Sequence, residues 1–216
     1  MNREELYRIA SDAVREEELS SAEIPAIDLY VDQILNLVSE KLKTGSERYH
    51  DRLLTKTMIN NYSKDGLITP VKGKKYNKEQ ILQILTIYSL KQTLSIGEIK
   101  RLLDGAYALE GFGEKELTDF YDRYLEIKKE NRDLSCQILE DLMLEKQLNV
   151  EDDRDLMLIV GALLSLSGFL RQTAQAMIDV KYPQPPEEEE KKDKDKEKKK
   201  DKKKKKSDEK SAESIT

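Results

Sequence analysis

A chain of 216 residues is long enough for one large or two small domains around a proper core. One Cys and one His exclude a disulfide framework and any metal site built from several His or Cys within one chain. The net charge of −5 hides a local reversal: residues 48–101 hold eleven Lys/Arg against four Asp/Glu, an excess of seven positive charges on an otherwise acidic body.

Residues 1–18 have no apolar stretch of the kind a secretion signal carries, so the expected compartment is cytoplasmic. Residues 2–19 place Leu6, Ile9, Ala13 and Val14 at amphipathic spacing among many Glu, which predicts a short helix. It would serve as a mobile arm or packing strap within an N-terminal segment 1–23. Pro25 suits a first helical turn, and Ile27, Tyr30, Val31, Ile34, Val38 and Leu42 then recur at three- and four-residue spacing, predicting a helix to Lys43. Asp28 and Asp32 fall one turn apart on its outer face; on so acidic a surface they are solvated charges rather than an acid–base pair. His50, between Arg48 and Arg52, is expected to be a surface loop residue.

Thr55 offers an N-cap hydroxyl for a helix through Ser63 or Lys64, which Asp65-Gly66 should end. Leu67-Ile68-Thr69-Pro70-Val71 is extended in character, because the residue before Pro is steered away from helix and the β-branched residues favour strand. Lys72-Gly73-Lys74 supplies a hairpin tip, so the expectation is a two-stranded wing. Asn77 with Gln80, and Ser95 with Glu98, form capping-box patterns. The first opens a helix with Ile81, Ile84, Leu85 and Tyr88 on one face, the second a helix with Ile99, Leu102 and Leu103.

Residues 114–147 predict a long helix in which Leu117, Phe120, Tyr124, Ile127, Asn131, Leu134 and Ile138 form a heptad seam with Asn131 at a core position. An inter-subunit helix pair and the stripe of an intramolecular bundle both fit; the spacing leans to the bundle. Cys136 is expected to be an ordinary helix residue. Residues 156–170 are the longest apolar run, shorter than a membrane span needs, and are expected to form a buried helix, with a membrane segment as a distant second reading. Gly161, Ala162, Ser165 and Gly168 permit close helix approach or the lining of an effector pocket, two readings left open. Residues 183–216 hold thirteen Lys and eleven Asp/Glu with little apolar content, which predicts a disordered, solubilising tail.

The run Lys56-Thr57-Met58-Ile59-Asn60-Asn61-Tyr62-Ser63-Lys64-Asp65-Gly66-Leu67-Ile68-Thr69-Pro70, followed by Lys75-Tyr76 and by Ser95-Ile96-Gly97-Glu98-Ile99, resembles a MerR-type winged helix-turn-helix. More narrowly, Ile24-Pro25-Ala26-Ile27-Asp28-Leu29-Tyr30 with the 54–62 segment resembles a bacterial family catalogued as domain of unknown function 1836. The chain departs from the MerR pattern at Asn60 and Asn61, where basic and aromatic residues are usual, and in the longer 44–52 connection.

The expected fold is therefore all-α with a small β-hairpin wing: a MerR-like winged helix domain at 24–104, then a helical dimerisation or sensing region at 105–182. The resemblance implies a transcriptional regulator that binds double-stranded DNA as a homodimer. Asn60 and Asn61 would read bases, Lys56 and Lys64 guanine or phosphate with Thr57 exposed beside them, and Lys72, Lys74 and Lys75 phosphate or a minor-groove edge; Tyr76 either reaches a phosphate with its hydroxyl or packs within the wing, the commoner role of a Tyr there. The alternative is a helical adaptor that keeps the fold but binds a protein partner, with an unknown effector open in either case. No phosphate-binding Gly loop, zinc spacing or nucleophile-His-acid grouping points to an enzyme, and no cofactor or membrane partner is expected.

Overall fold

The computed structural model describes residues 1–15, 18–41, 53–71 and 73–184. Met1–Ile178 form one compact unit and the chain from Asp179 a second. Residues 185–216, which include most of the expected tail, lie outside the described residues, as do Lys72 and the 44–52 connection with His50. Seven α-helices and one small antiparallel sheet are seen among the described residues. They are α1 (Arg3–Ala13), β1 (Leu29–Tyr30), α2 (Val31–Lys41), α3 (Lys56–Lys64), β2 (Lys75–Tyr76), α4 (Lys78–Leu90), α5 (Ile96–Tyr107), α6 (Glu114–Glu145) and α7 (Asp153–Lys181).

The core is organised around α4. Its capping box is closed in both directions: Asn77 Oδ1 accepts the Gln80 N–H at 2.9 Å, and Gln80 Oε1 accepts the Asn77 N–H at 3.0 Å. The sequence pattern predicts one apolar face. In the fold every side chain from Gln80 to Ile87 is buried, because α3, β2 and α6 pack around the helix and α5 contributes Ile99 and Leu103 to the same core. Gln80 and Gln83 tolerate this burial because their amides are hydrogen-bonded.

The sheet differs from the expected hairpin. Its strands are β1 and β2, paired antiparallel with Leu29 opposite Tyr76 and Tyr30 opposite Lys75, so two helices separate them in the chain. The 67–71 segment has other partners for its backbone. Leu67 and Ile68 sink into the core, Thr69 N–H goes to Gln83 Oε1, and Gln80 Nε2 donates to the carbonyls of Thr69 and Pro70. Pro70 has no N–H to offer a ladder. With those groups engaged by α4, β2 finds its ladder in β1.

The same pairing shortens the helix expected from Pro25. Leu29 and Tyr30 are extended, α2 starts at Val31, and Ile27 and Tyr30 face water while Leu29, Ile34 and Val38 are buried. Asp28 and Asp32 consequently do not share a helix face. The core also begins before Ile24: Leu19 is fully buried, Ser21 donates both its N–H and its hydroxyl to Asp122, and the Tyr121 hydroxyl donates to the Leu19 carbonyl at 2.9 Å. Upstream, α1 is a strap, its Leu6 buried against Leu139 and Met143 of α6.

Two expectations fail in the long helices. The core side of α6 is Leu117, Tyr121, Leu139 and Met143, a line adjacent to the heptad seam. Of that seam only Leu117 is buried; Phe120, Ile127 and Leu134 remain 44%, 51% and 50% exposed, and Asn131 is exposed too. The seam is therefore not the stripe of an intramolecular bundle, because the buried contacts of α6 lie around the helix from it. Likewise α7 is not the buried helix that its composition predicts. At 29 residues it is long and apolar enough to cross a membrane by length and composition, yet 6% of its most apolar 18-residue window is buried. Only Ile159, with Leu139 and Met143, and Ile178, with the main core, are buried along it.

Candidate nucleic-acid interface

Helix α3 is locally encoded at both ends. Thr55 Oγ1 accepts the Met58 N–H at 3.2 Å, as an N-cap should. At the other end the Leu67 N–H returns to the Tyr62 carbonyl at 2.9 Å across Gly66, whose φ of +68° is the left-handed conformation that a side chain resists. Lys100 of α5 adds its ammonium to the Asp65 carbonyl at 2.9 Å, a cation against the negative end of α3.

The two faces of α3 divide cleanly. Ile59 and Tyr62 are buried in the core and Met58 is half-buried. Burial pushes the Tyr62 phenol up to about 12, so it stays neutral. Lys56, Thr57, Asn60, Asn61 and Lys64 all project into water on the opposite face. The inner residues thus fix the helix, and the outer five are exposed.

Beside them stands the end of the 67–76 segment. Gly73 turns with a φ of +83°, and Lys74 and Lys75 are exposed. The Lys75 ammonium lies 5.0 Å from the centroid of the Tyr30 ring, a cation–π contact across the sheet. Of its two readings, Tyr76 takes the packing one. It is 6% exposed and packs into the core opposite Leu29, so it anchors the strand and offers a backbone-contacting partner little surface.

A cleft of about 490 Å³ brings Lys56, Asn60, Lys74 and the rim of Tyr76 together, with Tyr30, Asp32 and the Thr69-Pro70-Val71 segment among the rest of its lining. Thr57, Asn61, Lys64 and Lys75 lie outside that lining. Asp32 is an addition that the sequence reading missed: its carboxylate is 3.8 Å from the Lys56 ammonium, an exposed pair. Tyr30 and Lys100 were missed as well. Only the pairing of β1 with β2 carries Tyr30 to this site, and only the fold brings Lys100 to the Asp65 carbonyl at the end of α3; no local signal marks either.

Chemically the surface offers two amides able to present a donor and an acceptor side by side, and several mobile ammonium groups.

No curated protein and no solved structure matches the chain. The matched stretch 19–124 opens at buried Leu19, contains the whole of α3, the cleft and α4, and ends within α6. The model that matches residues 19–124 is that of the family described as Domain of unknown function (DUF1836), and the match supports placing this segment of the chain in that family.

Proposed function

We propose that the protein is a sequence-specific DNA-binding regulator, built on a MerR-like winged helix and acting as a cytoplasmic homodimer. Helix α3 lies in a major groove with Asn60 and Asn61 against base edges, and Lys74 and Lys75 sit on the flanking phosphates. The observation that supports this most is the division of α3: an inner face locked into the core by Ile59 and Tyr62, and an outer face of five exposed polar residues beside a basic turn.

One observation favours the adaptor as a second reading. Asp32 stands within the cleft and pairs with Lys56, and a carboxylate there repels phosphate but suits a partner with cations of its own.

Fluorescence anisotropy separates the two. DNA from upstream of the protein's own coding region is compared with scrambled DNA, using wild type and Asn60→Ala/Asn61→Ala at two salt concentrations, and a genome-wide selection follows if no preference is seen. Preferential binding that the double substitution flattens, with the salt dependence kept, places sequence reading on α3. Absence of any preferred DNA in both experiments sinks the regulator and leaves the adaptor.

A further inference from the structure

The exposed face of α7 needs a cover. Seven large apolar side chains between Asp153 and Ile178 are about half to three-quarters exposed, Met157 and Leu164 at 76% and 68%. Of these, Met157, Val160 and Leu164 lie together on one side of the helix and leave an apolar area on the order of 300 Å² in water, the size of the largest patch on ordinary monomers.

We propose that this face pairs with the same face of a second copy of the chain, α7 against α7, antiparallel about a two-fold axis near Ala162. Three features of the helix select that occupant. First, Met157, Val160, Leu164 and Gly168 recur at three- and four-residue spacing on the side of α7 away from Ile159, so the face is a continuous stripe. Second, the stripe contains its own holes. A Cβ built at Gly161 or Gly168 meets nothing within 4 Å, and these two glycines are seven residues apart, as are Met157 and Leu164. In the antiparallel arrangement Met157 and Leu164 of one copy lie over Gly168 and Gly161 of the other, the self-complementarity that a two-fold interface requires. Third, the ends match in charge. Asp153 and Arg171 are exposed at the two ends of the same stripe, and the two-fold sets each Arg171 against the partner's Asp153.

A lipid bilayer is the competing cover, because α7 is long enough. Insertion would have to withdraw Ile159 and Ile178 from two separate buried clusters, nineteen residues apart. It would also break the hydrogen bond from Gln175 Nε2 to Glu98 Oε1 at 2.8 Å. A second copy covers the outer stripe and leaves all three contacts in place.

The inference deepens the homodimer of the proposed function, but it rests on this exposed face and not on DNA binding. The test is sedimentation equilibrium on the full chain without DNA, detergent or lipid, on wild type, Leu164→Glu, Arg171→Asp and the Asp153→Arg/Arg171→Asp charge exchange. Leu164 is a surface residue in the monomer, so its substitution should leave the circular dichroism unchanged. The expected result is a wild-type dimer whose dissociation constant rises about thirtyfold or more in Leu164→Glu. Arg171→Asp should weaken the dimer by a smaller factor, and the double exchange should restore it. A wild type that is monomeric at ~100 µM overturns the proposal. So does a dimer indifferent to Leu164→Glu, or a monomer that floats with phosphatidylcholine vesicles. Anisotropy on the same preparations keeps the two ideas apart: a dimer with no DNA preference sinks the regulator and keeps this interface, and a monomer that selects a DNA site sinks this interface and the homodimer but keeps DNA reading by α3.

Discussion

Thr69 donates its backbone N–H to the buried side-chain oxygen of Gln83 at 2.9 Å, and the amide nitrogen of Gln83 in turn donates to the Tyr107 hydroxyl at 2.7 Å. One side chain at the centre of α4 therefore holds both the segment that leaves α3 and the last turn of α5. Burial pushes the Tyr107 phenol up to about 12 against the opposing effect of this hydrogen bond, which keeps it neutral beside the amide. Gln83→Leu preserves volume but takes this partner from the Thr69 N–H and the Tyr107 hydroxyl in a part-buried site. The expected loss is about 2–3 kcal/mol, at roughly 1–3 kcal/mol for each buried group left unpaired. Urea unfolding of the variant measures it, and a change below about 0.5 kcal/mol, the range of surface substitutions, means that the network does not hold the segment.

Tyr121 does the comparable work on the N-terminal side. Its hydroxyl reaches the Leu19 carbonyl 102 positions away, in a buried setting that pushes the phenol well above its ordinary value. Tyr121→Phe leaves the ring in place and removes one hydrogen bond, for an expected cost of about 1–2 kcal/mol. In a unit of this size that lowers Tm by roughly 2–8 °C. Differential scanning calorimetry tests it; an unshifted Tm means that the Leu19 carbonyl finds water instead.

These two contacts also mark where sequence reading stops. The caps at Thr55, Asn77 and Ser95 were legible because each is a local device: the side chain and the N–H that it meets are three residues apart. The outward face of α3 was legible for the same reason, since Ile59 and Tyr62 fix which side turns inward. The partner of β2 was not. Extended character in 67–71 says nothing of which backbone groups it will meet, and the glutamines of α4 that claim those groups are ten to fourteen residues away. The exposure of α7 was hidden differently. An apolar run with glycines has the same composition whether its cover lies in its own chain or in another molecule, and only the packed fold shows that little of the chain covers it.

Glu23, Glu98 and Glu116 all have carboxyls held below their ordinary value, and Glu23 shows the large shift. Glu23 accepts the N–H and hydroxyl of Ser20, both at 2.9 Å, and the Lys41 ammonium at 2.6 Å. The Lys41 contact and the Ser20 hydrogen bonds hold its carboxyl down at about 2. A folded value below the ordinary one means that this contribution is complete above about pH 4.5 and fades as pH falls toward 2. Because both side chains are well exposed, the effect should be modest and reduced by salt. Glu23→Gln should therefore show a shallower fall of Tm between pH 5 and 2.5 than wild type at low salt, with the two profiles converging in 1 M NaCl. Parallel profiles at low salt would place the acid sensitivity elsewhere.

The proposed roles of the cleft residues differ in kind, and salt separates them. Lys74 is exposed on the basic turn, where an ammonium can approach a phosphate but is ill placed to distinguish bases. Asn60 is in the same cleft but on the outward face of α3, with an amide that matches the paired donor and acceptor of adenine. Lys74→Ala should weaken binding to preferred and scrambled DNA by the same factor and reduce the slope of log K against log salt by about 0.9, the share of one phosphate contact. Asn60→Ala should leave that slope unchanged and cost about 1–3 kcal/mol on preferred DNA alone. Equal losses on both DNAs for Asn60→Ala would assign this side of α3 to the backbone and move base reading to Asn61 and Lys64. A slope unaffected by Lys74→Ala would take the turn off the phosphates.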